Sequence, residues 1–121
     1  MSTVYVFGHK NPDNDAIMSA VVLSQLLNQV NYDGNEYKAC ALGALPAESA
    51  KLLAEAGIAE LEQIESVEEG QLVVLTDHNE SAQSVEGLKH AVVAGVVDHH
   101  RIGDFETPAP LHYICLPWGS S

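Results

Sequence analysis

A loop that combines one imidazole with two carboxylates follows the first apolar segment of the sequence. His9, Asp13 and Asp15 lie in it, between the strand-like run Thr3–Phe7 and the helix-like run Ala16–Leu27. Nitrogen and oxygen donors together suit a divalent cation. A simpler interpretation is that one aspartate caps the helix and that His9 is a hydrogen-bonded core histidine, although a cap needs only one acidic residue. The choice depends on what other segments supply.

Two later apolar runs also end in ionisable groups. These groups are Asp77-His78 and Asp98-His99-His100. So many ionisable side chains at one place would repel one another and would be costly to desolvate, and divalent cations resolve that conflict. Asp77 stands on the middle segment and is the natural carboxylate to bridge two ions. His78 alone is expected to be exposed or to support a ligand.

The elements that must position these loops are strands that alternate with helical patterns. The predicted strands are Thr3–Phe7, Tyr37–Leu42, Gln71–Thr76, Ala91–Val97 and Leu111–Leu116. Apolar strands alternating with helices are typical of an α/β fold, here a mainly parallel five-stranded sheet with helices on both faces. In a parallel sheet the strands that end near residues 7, 76 and 97 finish at the same edge, where α/β folds place ligands. The three clusters are therefore expected to meet.

Between these strands the helical patterns are less uniform. A second helix is predicted to begin near Pro46 and to stop at Gly57, and a short helix is predicted from Ser81 to Leu88. The stretch from Glu60 to Val67 has no clear hydrophobic period, so it could be either a short helical connector or an extended one.

Composition limits the classes of protein that fit. The 121 residues are 46% hydrophobic and carry a formal charge of −12, which predicts one globular domain and argues against binding nucleic acid or anionic membranes through a basic surface. Cys40 and Cys115 have no CxxC spacing and are predicted to be buried, reduced thiols. The sequence shows no leader pattern and no apolar run long enough to cross a bilayer, so a cytoplasmic location is predicted.

Three motifs resemble a known family. Gly8–Asp15, Asp77–Glu80 and Asp98–Arg101 are similar, in order and spacing, to successive motifs of the DHH phosphoesterase superfamily. The resemblance is strongest to its manganese-dependent members, the family II inorganic pyrophosphatases. The run Asp77–Glu80 and the segment Asp98–Glu106 favour that group over nuclease-like relatives.

The resemblance implies hydrolysis of inorganic pyrophosphate to two phosphates with two Mn²⁺ per subunit, Co²⁺ or Mg²⁺ being possible substitutes. The implied metal ligands are His9, Asp13, Asp15, Asp77 and His99. His100 would act near the substrate, and Asp98 would orient a histidine ring.

The resemblance also implies a homodimer formed through an edge strand. The run Leu111–Leu116 is apolar and uncharged, without obvious edge protection. An interior position in the sheet is the simpler interpretation of that run.

The family has a further aspartate motif and a basic C-terminal domain, which are not found up to Ser121. Residues 1–121 are therefore interpreted as the truncated N-terminal part of such an enzyme, a DHH-type metal-binding catalytic domain without the C-terminal substrate-binding domain and with little activity alone. Two alternatives stay open: a phosphodiesterase or exopolyphosphatase of the same superfamily, and a metal-binding, dimerising module without turnover.

Overall fold

Six strands form one parallel sheet in the computed structural model, which describes residues 2–31, 33–58, 61–104 and 106–121. The elements along the chain are β1 (Thr3–Phe7), α1 (Asn14–Val30), β2 (Glu36–Ala41), α2 (Ala47–Glu55), β3 (Glu62–Gln63), β4 (Leu72–Thr76), β5 (Val92–Asp98) and β6 (His112–Cys115). The strands are ordered β3-β2-β1-β4-β5-β6, and every neighbouring pair is parallel. The predicted α/β class and parallel sheet are confirmed.

The predicted count of five strands is wrong, because a sixth strand lies within the stretch that had no clear period. β3 has only two residues, Glu62 and Gln63, which pair with Cys40 and Ala41 at the end of β2. Both β3 residues are exposed. A strand this short and polar has no hydrophobic alternation that a sequence could display. Glu60, where the open stretch began, lies outside the described residues.

The short helix predicted from Ser81 to Leu88 is also wrong. Two 3-10 turns, Ser81–Gln83 and Leu88–His90, stand in its place. Gly87, which precedes the second turn, has a φ of 91°, a value outside the right-handed helical region. The backbone therefore cannot run as one helix through residue 87.

β6 lies at an edge of the sheet, where β5 is its partner strand. The interior position considered for this run is therefore wrong. Cys115, in β6, is only partly buried, whereas Cys40 is buried, and both thiols are free. The prediction of two buried thiols holds for Cys40 alone.

The first helix is longer than the predicted Ala16–Leu27, because polar residues extend it at both ends. Asp13 caps its start: the Asp13 side chain accepts a hydrogen bond of 2.9 Å from the backbone N–H of Ala16. The helix ends at Val30 and is capped by Asn31, which has a left-handed φ of 46°. α1 thus begins within the loop that carries the first ionisable cluster.

The two faces of the sheet are covered differently. Both α-helices lie on the face that includes Val4 and Val6, where α1 packs through Ile17 and Ala20 and α2 through Leu53. The opposite face is covered by the segment that holds the 3-10 turns; its buried side chains join those of the sheet in one cluster: Phe7, Cys40, Val73, Leu75, Val85, Leu88, Ala91, Val93 and Val96. Burial of each phenylalanine, valine or leucine side chain in this cluster contributes on the order of 1.5–3 kcal/mol.

One part of the α1 face remains open in the described residues. A groove of about 410 Å³ separates α1 from β5 and β6, and Leu26, Val96 and Ile114 are among its lining residues. Within the described ranges, no helix combines the length and apolarity needed to cross a membrane.

Gly8 brings the first ionisable cluster close to the sheet. It follows β1 directly, and a Cβ atom placed on it would lie 2.5 Å from the Cβ of Ala16 and 2.7 Å from the Ala16 carbonyl oxygen. Real Cβ atoms do not approach so closely, so only glycine lets β1 pass this near to the first turn of α1. The short distance between the loop and the helix is thus possible only because glycine has no Cβ atom.

Gly8→Ala is therefore expected to lower the free energy of unfolding by about 1–3 kcal/mol, because the helix must move away from the strand. Gly119→Ala is the matched control: a Cβ atom there would meet nothing within 4 Å. Urea unfolding followed by circular dichroism measures both variants. Equal stability of the two would show that the contact between Gly8 and Ala16 is not a constraint.

Candidate metal centre

Three loops bring the ionisable clusters together at the carboxyl edge of neighbouring strands. β1, β4 and β5 are adjacent in the sheet. One cluster follows β1, one follows β4, and the third begins at Asp98, the last residue of β5. Two groups of side chains have donor atoms within 4.8 Å of one another: His9, Asp13 and Asp77 in one, and Asp77, Asp98, His99 and His100 in the other. Asp77 belongs to both groups and therefore joins them.

The Asp77 carboxylate lies between two imidazoles. Its Oδ2 is 3.2 Å from Nε2 of His9, and its Oδ1 is 2.7 Å from Nε2 of His99. The Asp77 backbone is left-handed, with a φ of 57°, and its N–H donates to the Val97 carbonyl at 3.0 Å. Few residues other than glycine adopt such a φ, aspartate being one of the more tolerant. Asp77 is the first residue after β4, and with this backbone conformation its carboxylate lies between the two rings.

The environment of Asp77 favours positive charge nearby. Burial raises the pKa of its carboxyl to about 6; the hydrogen bond from His99 opposes this shift, and Asp15 adds to it. Ionising a carboxyl group in this position costs desolvation free energy, unless a nearby cation stabilises the negative charge. The pKa of His99 is raised: burial works against the shift, but the hydrogen bond to Asp77 and the charges of Asp77 and Asp15 outweigh it.

Each imidazole also faces a second carboxylate. Asp13 Oδ1 lies 3.6 Å from Nε2 of His9, and Asp15 Oδ2 lies 3.5 Å from Nε2 of His99. Asp13 is therefore both the cap of α1 and a neighbour of His9. The interpretation as a helix cap is correct, and it does not exclude a role as a metal ligand. Asp15 Oδ2 also accepts a hydrogen bond of 3.0 Å from the backbone N–H of Ser121.

The His9 ring is oriented as a metal-ligating ring would be. Its Nδ1 is 2.7 Å from the Lys10 carbonyl, which can only accept, so Nδ1 carries a proton. In the neutral ring, Nε2 then directs a lone pair at the carboxylates of Asp13 and Asp77. In that form, Nε2 could bind a cation that also contacts the two carboxylates. The donor set therefore fits a divalent ion.

Asp98 and His100 form a second hydrogen-bonded group beside the first. Asp98 is buried, and its Oδ1 accepts from Nδ1 of His100 at 2.6 Å and from the backbone N–H of His99 at 2.7 Å. Its Oδ2 accepts from Nδ2 of Asn79 at 2.6 Å. Burial alone would raise the pKa of Asp98, but these hydrogen bonds outweigh it and hold the pKa below its usual range. The ionised Asp98 thus fixes the ring of His100.

His78 lies beside this arrangement, and of the two alternatives predicted for it, exposure is wrong. It is fully buried. Its Nδ1 donates to the Thr76 carbonyl at 2.8 Å, so its Nε2 accepts from the Ser84 hydroxyl at 2.8 Å. Burial lowers the pKa of His78 to about 4, which keeps the ring neutral. His78 therefore links the end of β4 to the segment below it.

Sequence reasoning missed Asn79 and Ser84 as partners of these groups. Asn79 stands inside the run that carries the family resemblance, but neither its type nor its spacing shows that it contacts Asp98, 19 residues away. Ser84 lies in a segment predicted to be helical. Its bond to His78 could not be anticipated from that prediction.

A parallel α/β sheet with histidines and aspartates gathered at its carboxyl edge defines a domain whose side chains could hold metal ions. The model of the DHH family, N-terminal domain, matches residues 3–121. The chain belongs to the DHH family.

Named relatives agree with this assignment. A Staphylococcus epidermidis protein is 40% identical over 121 residues, which are 100% of this chain and 38% of that protein. An Archaeoglobus fulgidus protein is 40% identical over 125 residues, 96% of this chain and 38% of that protein. Both carry the name of a manganese-dependent inorganic pyrophosphatase. The chain thus spans about 38% of the length of these relatives.

A solved structure shares the fold. A crystal structure from Methanococcus jannaschii, whose description names a family II inorganic pyrophosphatase, superposes with a TM-score of 0.82 at 37% identity, covering 97% of this chain and 35% of that one. The resemblance predicted from the sequence motifs is confirmed.

Ser84→Ala is expected to destabilise the fold by about 1–3 kcal/mol, because Nε2 of the buried His78 loses its donor. Ser120→Ala, at an exposed position, is the control and should leave the free energy of unfolding unchanged. Denaturant unfolding checks both. A Ser84→Ala chain as stable as the control would contradict the structural role given to His78.

Proposed function

We propose that this chain provides the two-metal centre of an enzyme that hydrolyses inorganic pyrophosphate to two phosphates. The observation that carries the proposal is the position of Asp77, whose two carboxylate oxygens face different histidines, His9 at 3.2 Å and His99 at 2.7 Å. A carboxylate shared in this way is what two neighbouring cations require. The names of the relatives supply the substrate.

The proposed donor sets are symmetrical about Asp77. His9 and Asp13 would hold one ion with it, and Asp15 and His99 would hold the other. Imidazole mixed with carboxylate suits Mn²⁺, and Co²⁺ as a substitute, better than Mg²⁺, which prefers oxygen and water. The relatives' names also specify manganese.

The residues of the chain have separate parts in the reaction. When bound, the two ions would neutralise phosphate charge and make water a stronger nucleophile. His100 is half-exposed, and Asp98 holds its ring through Nδ1 at 2.6 Å, so Nε2 is the atom that can reach a phosphate oxygen or a leaving group. Asp98 orients this ring and does not bind the ions.

The 121 residues are proposed to be the N-terminal, metal-binding part of a cytoplasmic enzyme. Pyrophosphate carries several negative charges, and the chain has five Lys+Arg against 17 Asp+Glu. The remaining substrate contacts would come from outside these residues, and the chain spans 38% of the length of its Staphylococcus epidermidis relative. This share also supports a second candidate for the isolated chain, a metal-binding module with little or no turnover.

Metal binding and turnover test the proposal together. Mn²⁺ titration by calorimetry should show at least one bound ion in the 121-residue chain, and Asp77→Asn should abolish binding, because both donor sets lose their shared charge. Glu55→Gln removes one exposed charge at the far end of α2 and should bind as the unchanged chain does. In a polypeptide of the relatives' length, Asp77→Asn should also abolish phosphate release from pyrophosphate. An unchanged chain that binds no Mn²⁺ would contradict the metal centre, and release from a dinucleotide instead would favour a phosphodiesterase.

The homodimer is proposed to form through β6. This strand is at the sheet edge, is uncharged and has Ile114 largely exposed, which favours pairing with another strand. Sedimentation at micromolar concentration is expected to give the mass of a dimer, and Ile114→Lys should give a monomer by placing a charge on that edge. A monomer in the unchanged chain would exclude this assembly.

A further inference from the structure

The segment directly after Asp77 holds the loop that carries His99 and His100. Asn79 makes three hydrogen bonds to this loop and is buried. Its Nδ2 donates to Oδ2 of Asp98 at 2.6 Å and to the Arg101 carbonyl at 2.8 Å. Its Oδ1 accepts from the backbone N–H of Gly103. A single amide side chain therefore contacts the beginning, the middle and the end of the stretch 98–103.

Further contacts join the segment that follows Asp77 to the loop that carries His99 and His100. The backbone N–H and the hydroxyl of Ser81 donate to the two carboxylate oxygens of Asp104 at 2.8 and 2.7 Å. A Cβ atom on Gly103 would overlap Cγ of Glu80 and would lie 2.8 Å from Oδ1 of Asn79. The two segments are therefore as close as a glycine allows.

We propose that Asn79 is a positioning residue that sets the place of His99 and His100 relative to Asp77. The inference rests on the proposed function, because His99 matters there as a ligand and His100 as a group near the substrate. Asn79 and Asp77 are two residues apart on one segment. Whatever fixes Asn79 to the histidine loop also fixes the 2.7 Å approach of His99 Nε2 to Asp77 Oδ1.

The chemistry of this position favours an amide. Two of the loop atoms that face Asn79, the Asp98 carboxylate and the Arg101 carbonyl, can only accept, and the third, the Gly103 N–H, can only donate. An amide satisfies all three at once. A carboxylate would leave two acceptors facing its own oxygens. An apolar side chain would remove all three hydrogen bonds and would leave Oδ2 of the buried Asp98 without the partner that Asn79 provides.

The matched control is Asn28, another amide with paired hydrogen bonds. Its Nδ2 donates to the Tyr37 carbonyl at 2.8 Å, and its Oδ1 accepts from the Tyr37 N–H at 2.8 Å. Asn28 lies near the end of α1, away from the loops that carry the ionisable clusters. Asn28→Ala therefore costs stability without disturbing the metal centre.

The experiment compares Asn79→Ala, Asn79→Asp and Asn28→Ala in the 121-residue chain. Mn²⁺ affinity is measured by calorimetry and the melting temperature by circular dichroism. Both Asn79 variants are expected to bind Mn²⁺ about 10–100-fold more weakly than the unchanged chain, as the loss of a residue that orients a ligand does. Asn28→Ala is expected to melt earlier and to keep its affinity.

The sign of the Asn79→Asp effect separates position from charge. A new negative charge beside bound cations would by itself strengthen their binding, whereas misplaced histidines weaken it. A higher Mn²⁺ affinity in Asn79→Asp would overturn the positioning role. So would an Mn²⁺ affinity that falls no further in Asn79→Ala than in Asn28→Ala.

A second measurement does not depend on metal. In the metal-free chain, the proton on Nδ1 of His100 is held by Asp98 at 2.6 Å and is expected to give a downfield NMR resonance. It should persist in Asn28→Ala and disappear in Asn79→Ala. Persistence in Asn79→Ala would overturn the inference, while an unchanged chain without Mn²⁺ affinity would overturn the proposed function alone.

Discussion

Repulsion among ionisable groups at one sheet edge is the constraint on which the site depends. Asp77 is buried between two imidazoles, and burial raises the pKa of its carboxyl to about 6. Nε2 of His9 faces the same carboxylate at 3.2 Å. The neighbouring Asp98 accepts three hydrogen bonds, whereas Asp77 is flanked by the two imidazoles and by Asp15, whose proximity raises the pKa of the Asp77 carboxyl further. The protein thus holds a set of donors that positive charge would stabilise, and a divalent cation supplies that charge in the most compact form.

The sheet and its loops keep this costly arrangement in place. Three adjacent strands end at one edge, and Gly8 lets the first loop approach the start of α1 to a distance that any larger residue would prevent. The left-handed backbone of Asp77 is a second local cost of the kind found at functional sites. Its N–H is anchored to Val97, in the next strand. Rigid neighbours therefore determine where the carboxylate lies, which is what a preorganised site requires.

The sequence predicted most of the framework because the apolar runs are long and each leads directly into an ionisable cluster. The convergence of those clusters followed from the parallel sheet alone. Other features carry no signal of this kind. β3 is two polar residues long, Gly87 interrupts a helical pattern through its φ of 91°, and the contacts of Asn79 join residues far apart in the chain. Exposure was one of two alternatives predicted for His78, but tertiary packing buries the ring and the Ser84 hydroxyl donates to its Nε2. Side-chain hydrogen bonds between residues far apart in the chain depend on tertiary packing, which the spacing of residues in the sequence does not reveal.

The direct approach of His99 to Asp77, two residues separated by 22 positions in the sequence, has a thermodynamic consequence. An ion bound to both would act as a reversible cross-link, and one shared with His9 would close a longer stretch of chain as well. Closing such loops removes conformations from the unfolded ensemble, and the loop entropy involved grows only slowly with length. Metal concentration would then set the stability of the domain by mass action. Chelators would accordingly loosen the whole sheet edge rather than a single loop.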